Sequence, residues 1–230
     1  MKIVVFTGAG ISAESGLQTF RGDNGLWEGY RVEDVATPEA WQKNPLLVQH
    51  FYNMRRKAVL AAQPNAAHVA LVELERKFQV TIITQNIDDL HERAGSNHII
   101  HLHGLITKAQ SSIDSSLTYD IQGWEIKMGE VCEKNSQLRP HVVWFGEPVP
   151  RMQDAIDECQ RADILLIVGT SLQVYPAAGL LNFTPYHAQK FLIDPAAEQL
   201  NKGNRIIQNI AEKASIGVPK IVQQLLNTNK

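Results

Sequence analysis

The run Ile3-Val4-Val5-Phe6 leads through Thr7 into Gly8-Ala9-Gly10-Ile11-Ser12-Ala13, and this juncture limits the folds open to the chain more than any other feature. A short apolar run rich in β-branched residues reads as a buried strand. In a G-x-G-x-x-A turn placed directly after it, Gly8 permits a tight turn and Gly10 lets the backbone approach a bound group. The small Ala13 allows close helix packing. The helix N-terminus that follows offers free N–H groups and a positive dipole end to an anion such as a diphosphate. A tight glycine turn that binds nothing is the competing reading. The position at the end of the first strand favours a nucleotide.

Three further runs, Val80 to Ile83, Ile164 to Val168 and Phe191 to Ile193, have the same buried-strand character. Helical patterns alternate with them. Ala67, Ala70, Leu71, Leu74 and Phe78 share one face, as do Met152, Ala155, Ile156 and Cys159, and Val218, Ile221, Val222 and Leu225. Strands alternating with helices predict a doubly wound α/β fold, a parallel sheet with helices on both faces. Residues 30–66 and 105–138 break the alternation. They are expected to form a small domain of two insertions, beside a main domain of residues 1–29, 67–104 and 139–230. A dehydrogenase would need a second strand ending in an acid about 20 residues beyond the glycines. Here Thr19-Phe20-Arg21-Gly22 and a Trp- and Gly-containing loop follow, and neither Glu28 nor Asp34 is preceded by a strand. Hydride transfer is therefore not expected.

With 44% apolar and 20% charged residues over 230 positions, the chain can bury a sizeable core. A net charge of −2 without a basic run argues against nucleic acid as a partner. Cys132 and Cys159 supply neither a disulfide framework nor a cysteine metal site. No apolar run approaches the roughly 18 residues of a membrane span. Because strand-like sequence begins at Lys2, no targeting peptide is expected. A cytoplasmic monomer is the expectation.

Five blocks in order resemble the sirtuin family. The first joins Thr7-Gly8-Ala9-Gly10-Ile11-Ser12 to Phe20-Arg21-Gly22. The second and third are Thr84-Gln85-Asn86-Ile87-Asp88 and His101-Leu102-His103-Gly104. The fourth is Arg139-Pro140-His141-Val142-Val143-Trp144-Phe145-Gly146-Glu147, and the fifth is Gly169-Thr170-Ser171 with Val174 to Ala177. The resemblance spans nearly the whole chain. It implies a Rossmann-like large domain, a small domain, and a cleft that NAD and an acylated lysine enter from opposite sides.

The resemblance also implies roles. His103 would be the general base that takes a proton from a ribose hydroxyl, which suits an imidazole at neutral pH; His101 would support it. Asn86 would lie near the attacked carbon, and Gln85, Ile87 and Asp88 would hold the nicotinamide and its ribose. Phe20 would cover that ribose, and Arg21 would reach a phosphate or order its loop. Gly169, Thr170 and Ser171 would meet the NAD phosphates and adenine ribose, Asp194 a ribose hydroxyl, and Ala214 the adenine edge. Val142, Val143, Phe145, Gly146 and Val174 would line the acyl-lysine tunnel and pair with an extended peptide. Leu192 stands where the family usually has Asn, which puts the adenosine contacts in question.

Tyr52 and Arg55 fall on one face of a helical stretch. The pair resembles that of the class III sirtuins, which remove succinyl, malonyl and glutaryl groups. A guanidinium can bind a terminal carboxylate through two parallel hydrogen bonds and a phenol can add a third. The alternative is an ordinary helix surface, with Arg55 solvated beside Arg56 and Lys57. Most sirtuins bind a structural zinc through four cysteines. Residues 105–138 contain only Cys132, so no zinc is expected. The expected function is an NAD-dependent lysine deacylase acting on succinyl, malonyl and, more weakly, acetyl groups. A general deacetylase, an ADP-ribosyltransferase or NAD hydrolase, and a non-catalytic NAD-sensing module remain alternatives.

Overall fold

A computed structural model describes residues 1–18, 26–27, 29–201 and 206–228. In chain order the main elements begin with β1 (Lys2–Thr7), α1 (Ala9–Ala13), the short pair β2 (Leu26–Trp27) and β3 (Tyr30–Arg31), α2 (Val32–Val35), α3 (Pro38–Lys43) and α4 (Pro45–Ala61). They continue through α5 (Ala66–Leu74), β4 (Gln79–Thr84), α6 (Leu90–Ala94), β5 (Ile99–His101), β6 (Gly104–Ser111), β7 (Thr118–Asp120) and β8 (Leu138–Val142). The chain then forms α7 (Met152–Gln160), β9 (Ile164–Val168), a 3₁₀ helix (Ala177–Phe183), β10 (Gln189–Ile193), α8 (Ala197–Leu200), β11 (Ile207–Ile210) and α9 (Ala214–Asn227).

Six strands make one parallel sheet in the order β11-β10-β9-β1-β4-β5. Side chains alternate across it. Ile3, Val5, Ile82 and Leu166 face α5 and α9, whereas Val4, Phe6, Ile83 and Ile167 face α7, α8 and the 3₁₀ helix. Burial on both faces is what makes each strand a continuous apolar run. The four strands expected from sequence are all present. β5 and β11, which close the two edges, are shorter and carry polar residues, so their apolar signal is weak. Leu192 is fully buried on the α7 side of the sheet. The position serves the core, which explains its apolar residue.

Order reverses between β1 and β9: the first half of the chain builds the sheet outward through β4 to β5, the second through β10 to β11. A crevice opens beyond the carboxyl ends at such a reversal, and ligands bind there in open α/β sheets.

The two insertions meet each other. Thr37 and Asn44 cap α3 and α4, accepting from Ala40 N (3.0 Å) and Leu47 N (3.1 Å), and a proline follows each cap. The second expected insertion supplies β6 and β7 of an antiparallel sheet in the order β7-β6-β8, and β8 runs on past residue 138 into the segment assigned to the main domain. One face of α4 grips this insertion. Gln49 Nε2 and Asn53 Nδ2 donate to the Ile126 carbonyl at 3.0 and 2.9 Å. Arg56, fully buried, donates to the carbonyls of Ile106 (2.5 Å) and Trp124 (2.9 Å) and to Asn53 Oδ1 (2.7 Å). The solvated helix surface that Arg56 suggested in the sequence is thus a buried joint. Burial pushes its guanidinium down to about 10.

Candidate active site

The carboxyl ends of β1 and β9 are drawn together by two backbone bonds, Gly8 N to Val168 O (3.0 Å) and Gly10 N to Gly169 O (2.8 Å). A Cβ on Gly10 would lie 2.6 Å from Gly169 Cα, and one on Gly169 would lie 2.4 Å from Ile11 N. Gly169 also has φ +60, which favours glycine. These backbones touch because neither carries a side chain.

A cleft of about 320 Å³ opens above this junction. Gly8, Ala9, Gly10, Gly169, Thr170, Ser171 and Asp194 line one end. Gln85, Asn86, Ile87, Asp88 and His103 line the middle, and Tyr52, Arg55, Val143, Phe145 and Val174 the remainder. Four residues expected at the site lie elsewhere. Ala13 is exposed on the last turn of α1, while Val142 and Ala214 are buried in the core. Gly146 sits in an exposed turn. Strand and helix periodicity explains these departures: Val142 turns inward and its neighbour Val143 faces the cleft. Phe20 and Arg21 lie outside the described residues. Ser12, Leu17, Gln18, Trp27, Ala36 and Val59 line the cleft without having been singled out. Only Ser12 carried a signal, since it lies inside the glycine motif.

Hydrogen bonds fix the polar centre. Asn86 Nδ2 donates to Gly8 O (3.2 Å) and to Ser12 Oγ (3.1 Å), and Ser12 Oγ donates to Asp88 Oδ2 (3.0 Å). Leu90 N donates to the other Asp88 oxygen at 3.2 Å. Asp88 is 5% exposed, and burial raises its carboxyl above the usual range despite those donors. Gln85 Nε2 donates to Thr170 Oγ1 at 3.0 Å, tying β4 to β9 across β1. His103 Nδ1 lies 2.9 Å from Gln85 O, and burial lowers its imidazole below its ordinary value. His101 bridges the Asn86 carbonyl (3.3 Å) and the Glu92 carboxylate (2.6 Å). Gly104, with φ +80, brings β6 so near β8 that a Cβ would meet His141 O at 2.3 Å. His103 is therefore held beside Val143 on the cleft wall, where Val143 N donates to His103 O at 3.0 Å.

Tyr52 and Arg55 project one turn apart from α4, at 2% and 8% exposure. The Arg55 guanidinium lies over the Trp27 ring at 4.2 Å. Burial pushes the Tyr52 phenol far above its ordinary range, so it is a neutral donor.

Residues 8–176 match the Sir2 family. A relative from Bacteroides thetaiotaomicron, named NAD-dependent protein deacylase, is 51% identical, covering 97% of each chain. The chain belongs to the Sir2 family. Another Sir2-family relative of the same name, from Helicobacter pylori, is 47% identical over 97% of each chain. Among solved structures, the chain is similar to an ADP-ribose complex of a Sir2 homologue, with a TM-score of 0.89, 38% identity and coverage of 100% of this chain and 95% of that one. A Sir2 homologue in complex with NAD matches with a TM-score of 0.87 and 39% identity over 98% and 89% of the two chains. A third, bound to a propionylated peptide, matches with a TM-score of 0.79 and 29% identity over 98% and 94%. Among the described residues of this Sir2-family chain, no group of three or more His, Cys, Asp or Glu could hold a metal ion.

Proposed function

We propose that the protein is an NAD-dependent protein lysine deacylase with a preference for acidic acyl groups, succinyl and malonyl above acetyl. The observation that carries the preference is that buried Tyr52 and Arg55 line the same cleft as His103 and Asn86.

The residues present fit NAD. The Gly8–Gly10 turn against Gly169 leaves backbone where a diphosphate must come close, at the start of a helix. Thr170, Ser171 and Asp194 would hold the adenosine side, and Gln85, Asn86, Ile87 and Asp88 the nicotinamide side. Bound there, NAD supplies a nicotinamide leaving group and the ADP-ribose that accepts the acyl group. The protein's part is orientation and proton movement. Asn86 is held in one rotamer by Gly8 O and Ser12. With Nδ1 committed to Gln85 O, His103 keeps Nε2 as the nitrogen that accepts a proton from a hydroxyl in the cleft. Val143, Phe145 and Val174 would shield the acyl-lysine stem from water. At its end Arg55 would bind a carboxylate in bidentate fashion while Tyr52 donates a third hydrogen bond.

The wider reading is of a cytoplasmic monomer acting on acylated lysine in proteins, with no nucleic-acid or membrane partner and no zinc. No helix among the described residues is long and apolar enough to cross a membrane. The small domain would be held by the α4 joint at Arg56 where other members use cysteines.

The test is kcat/KM for succinyl-lysine and acetyl-lysine peptides with NAD, on wild type and on Arg55→Met. A succinyl preference that Arg55→Met abolishes supports the proposal. An acetyl preference insensitive to Arg55→Met would leave a general deacetylase. Nicotinamide release without any acylated peptide would point to an ADP-ribosyltransferase or NAD hydrolase, and NAD binding without turnover to a sensing module.

A further inference from the structure

Arg55 does not sit in its tunnel unsupported. Its Cζ lies 4.2 Å from the centroid of the Trp27 ring and 5.8 Å from that of Phe51. Trp27 belongs to the small β2–β3 hairpin, remote from α4 in sequence, and pairs there with Tyr30. Its ring is braced edge-to-face by Phe51 (5.2 Å, 70°) and by Tyr52 (6.3 Å, 88°), and Tyr30 packs on Phe51 at 5.5 Å. Trp27 also lines the cleft.

A guanidinium over an aromatic face keeps its N–H edges available for hydrogen bonds while the ring shields one face from water. Trp offers the strongest such face, and the attraction grows as the cation is desolvated. Position on a helix face does not orient a long guanidinium side chain, so a pair of sequence positions does not by itself make a carboxylate site.

We propose that Trp27 is a positioning residue for acidic-acyl specificity: it holds the Arg55 fork in the orientation that receives a terminal carboxylate, and so acts through Arg55. This rests on the acidic-acyl reading above.

The experiment is the ratio of kcat/KM for succinyl over acetyl peptide in wild type, Trp27→Leu, Trp27→Phe, Arg55→Met and the Trp27→Leu/Arg55→Met double variant. Calorimetric Kd for the succinylated peptide provides a second readout. Trp27→Leu should lower the ratio roughly 3- to 30-fold, mainly through KM and in step with Kd, and Trp27→Phe should fall between it and wild type. In the Arg55→Met background, Trp27→Leu should lower the ratio no further, because the group it positions is gone. If Arg55→Met abolishes the preference while Trp27→Leu preserves it, or lowers it equally in both backgrounds, the Trp27 role is overturned and the acidic-acyl reading stands. A wild type without acidic preference overturns both. Should Trp27→Leu fail to fold, Trp27→Phe decides: a reduced ratio supports the role and an unchanged one overturns it.

Discussion

His103 Nδ1 lies 2.9 Å from the carbonyl oxygen of Gln85, the residue that also spans to Thr170 across the sheet. The proposed base is thereby tied to the strand ends that form the glycine junction. His103→Ala should lower kcat by roughly 10²- to 10⁴-fold. NAD binding, followed by calorimetry, should persist. Loss of NAD binding in that variant would mean that His103 shapes the cleft and is not its base.

Burial lowers the His103 imidazole, so the neutral, proton-accepting form persists to lower pH than for a free histidine. The acid limb of kcat/KM should therefore fall below pH of about 6.5, the ordinary histidine value. A limb centred above that value would assign the titration to another group.

Gly169→Ala places a Cβ 2.4 Å from Ile11 N at φ +60. The β1 and β9 ends must separate to admit it. ADP-ribose affinity should drop at least about tenfold, with a stability loss of roughly 1–3 kcal/mol from the strained backbone. Unchanged affinity in calorimetry would show that the junction is not part of the nucleotide cradle.

Arg56→Ala would strip donors from the Ile106 and Trp124 carbonyls and open a space in the α4 joint. Each carbonyl left unsatisfied costs about 1–3 kcal/mol. Urea unfolding should register a loss on the order of 3 kcal/mol. A surface-like change below about 0.5 kcal/mol would contradict the joint.

The His68 and His91 rings lie 4.9 Å apart, tilted by 60°, both fully buried or nearly so. His68 Nδ1 accepts from Asn65 N at 3.3 Å, and His91 Nε2 lies 3.1 Å from Thr7 Oγ1. Burial holds His68 down to about 4 and His91 well below its ordinary value, with the neighbouring charges of His68 and His101 adding to the latter. The unfolded chain takes up protons first, near pH 6.5, so stability is full above that and falls as pH drops toward 4. Each histidine contributes up to about 1.4 kcal/mol per pH unit in that window. Urea unfolding at stepped pH should show a steep loss there. A His68→Gln variant should show a shallower slope, and an equal slope would remove His68 from the account.

The sequence by itself determined the parallel sheet and the glycine junction at the ends of its central strands. Strands buried on both faces must be apolar throughout, and a backbone that nears a phosphate must be glycine, so both left local marks around Gly8, Gly10 and Gly169. His103 and Asn86 were legible as site candidates because their blocks resemble the sirtuins, and both line the cleft. Tertiary structure alone decided the rest. Whether Arg55 or Arg56 faces the cleft depends on how α4 rolls against β6, and a helix written with two adjacent arginines does not settle that roll. Val142 and Val143 differ only by which side of the β8 end each meets. Trp27 reaches Arg55 through space from a hairpin distant along the chain, and no spacing rule links the two. The glycine junction was written in residue identity and local spacing, whereas the surroundings of Arg55 were set by packing between separate elements.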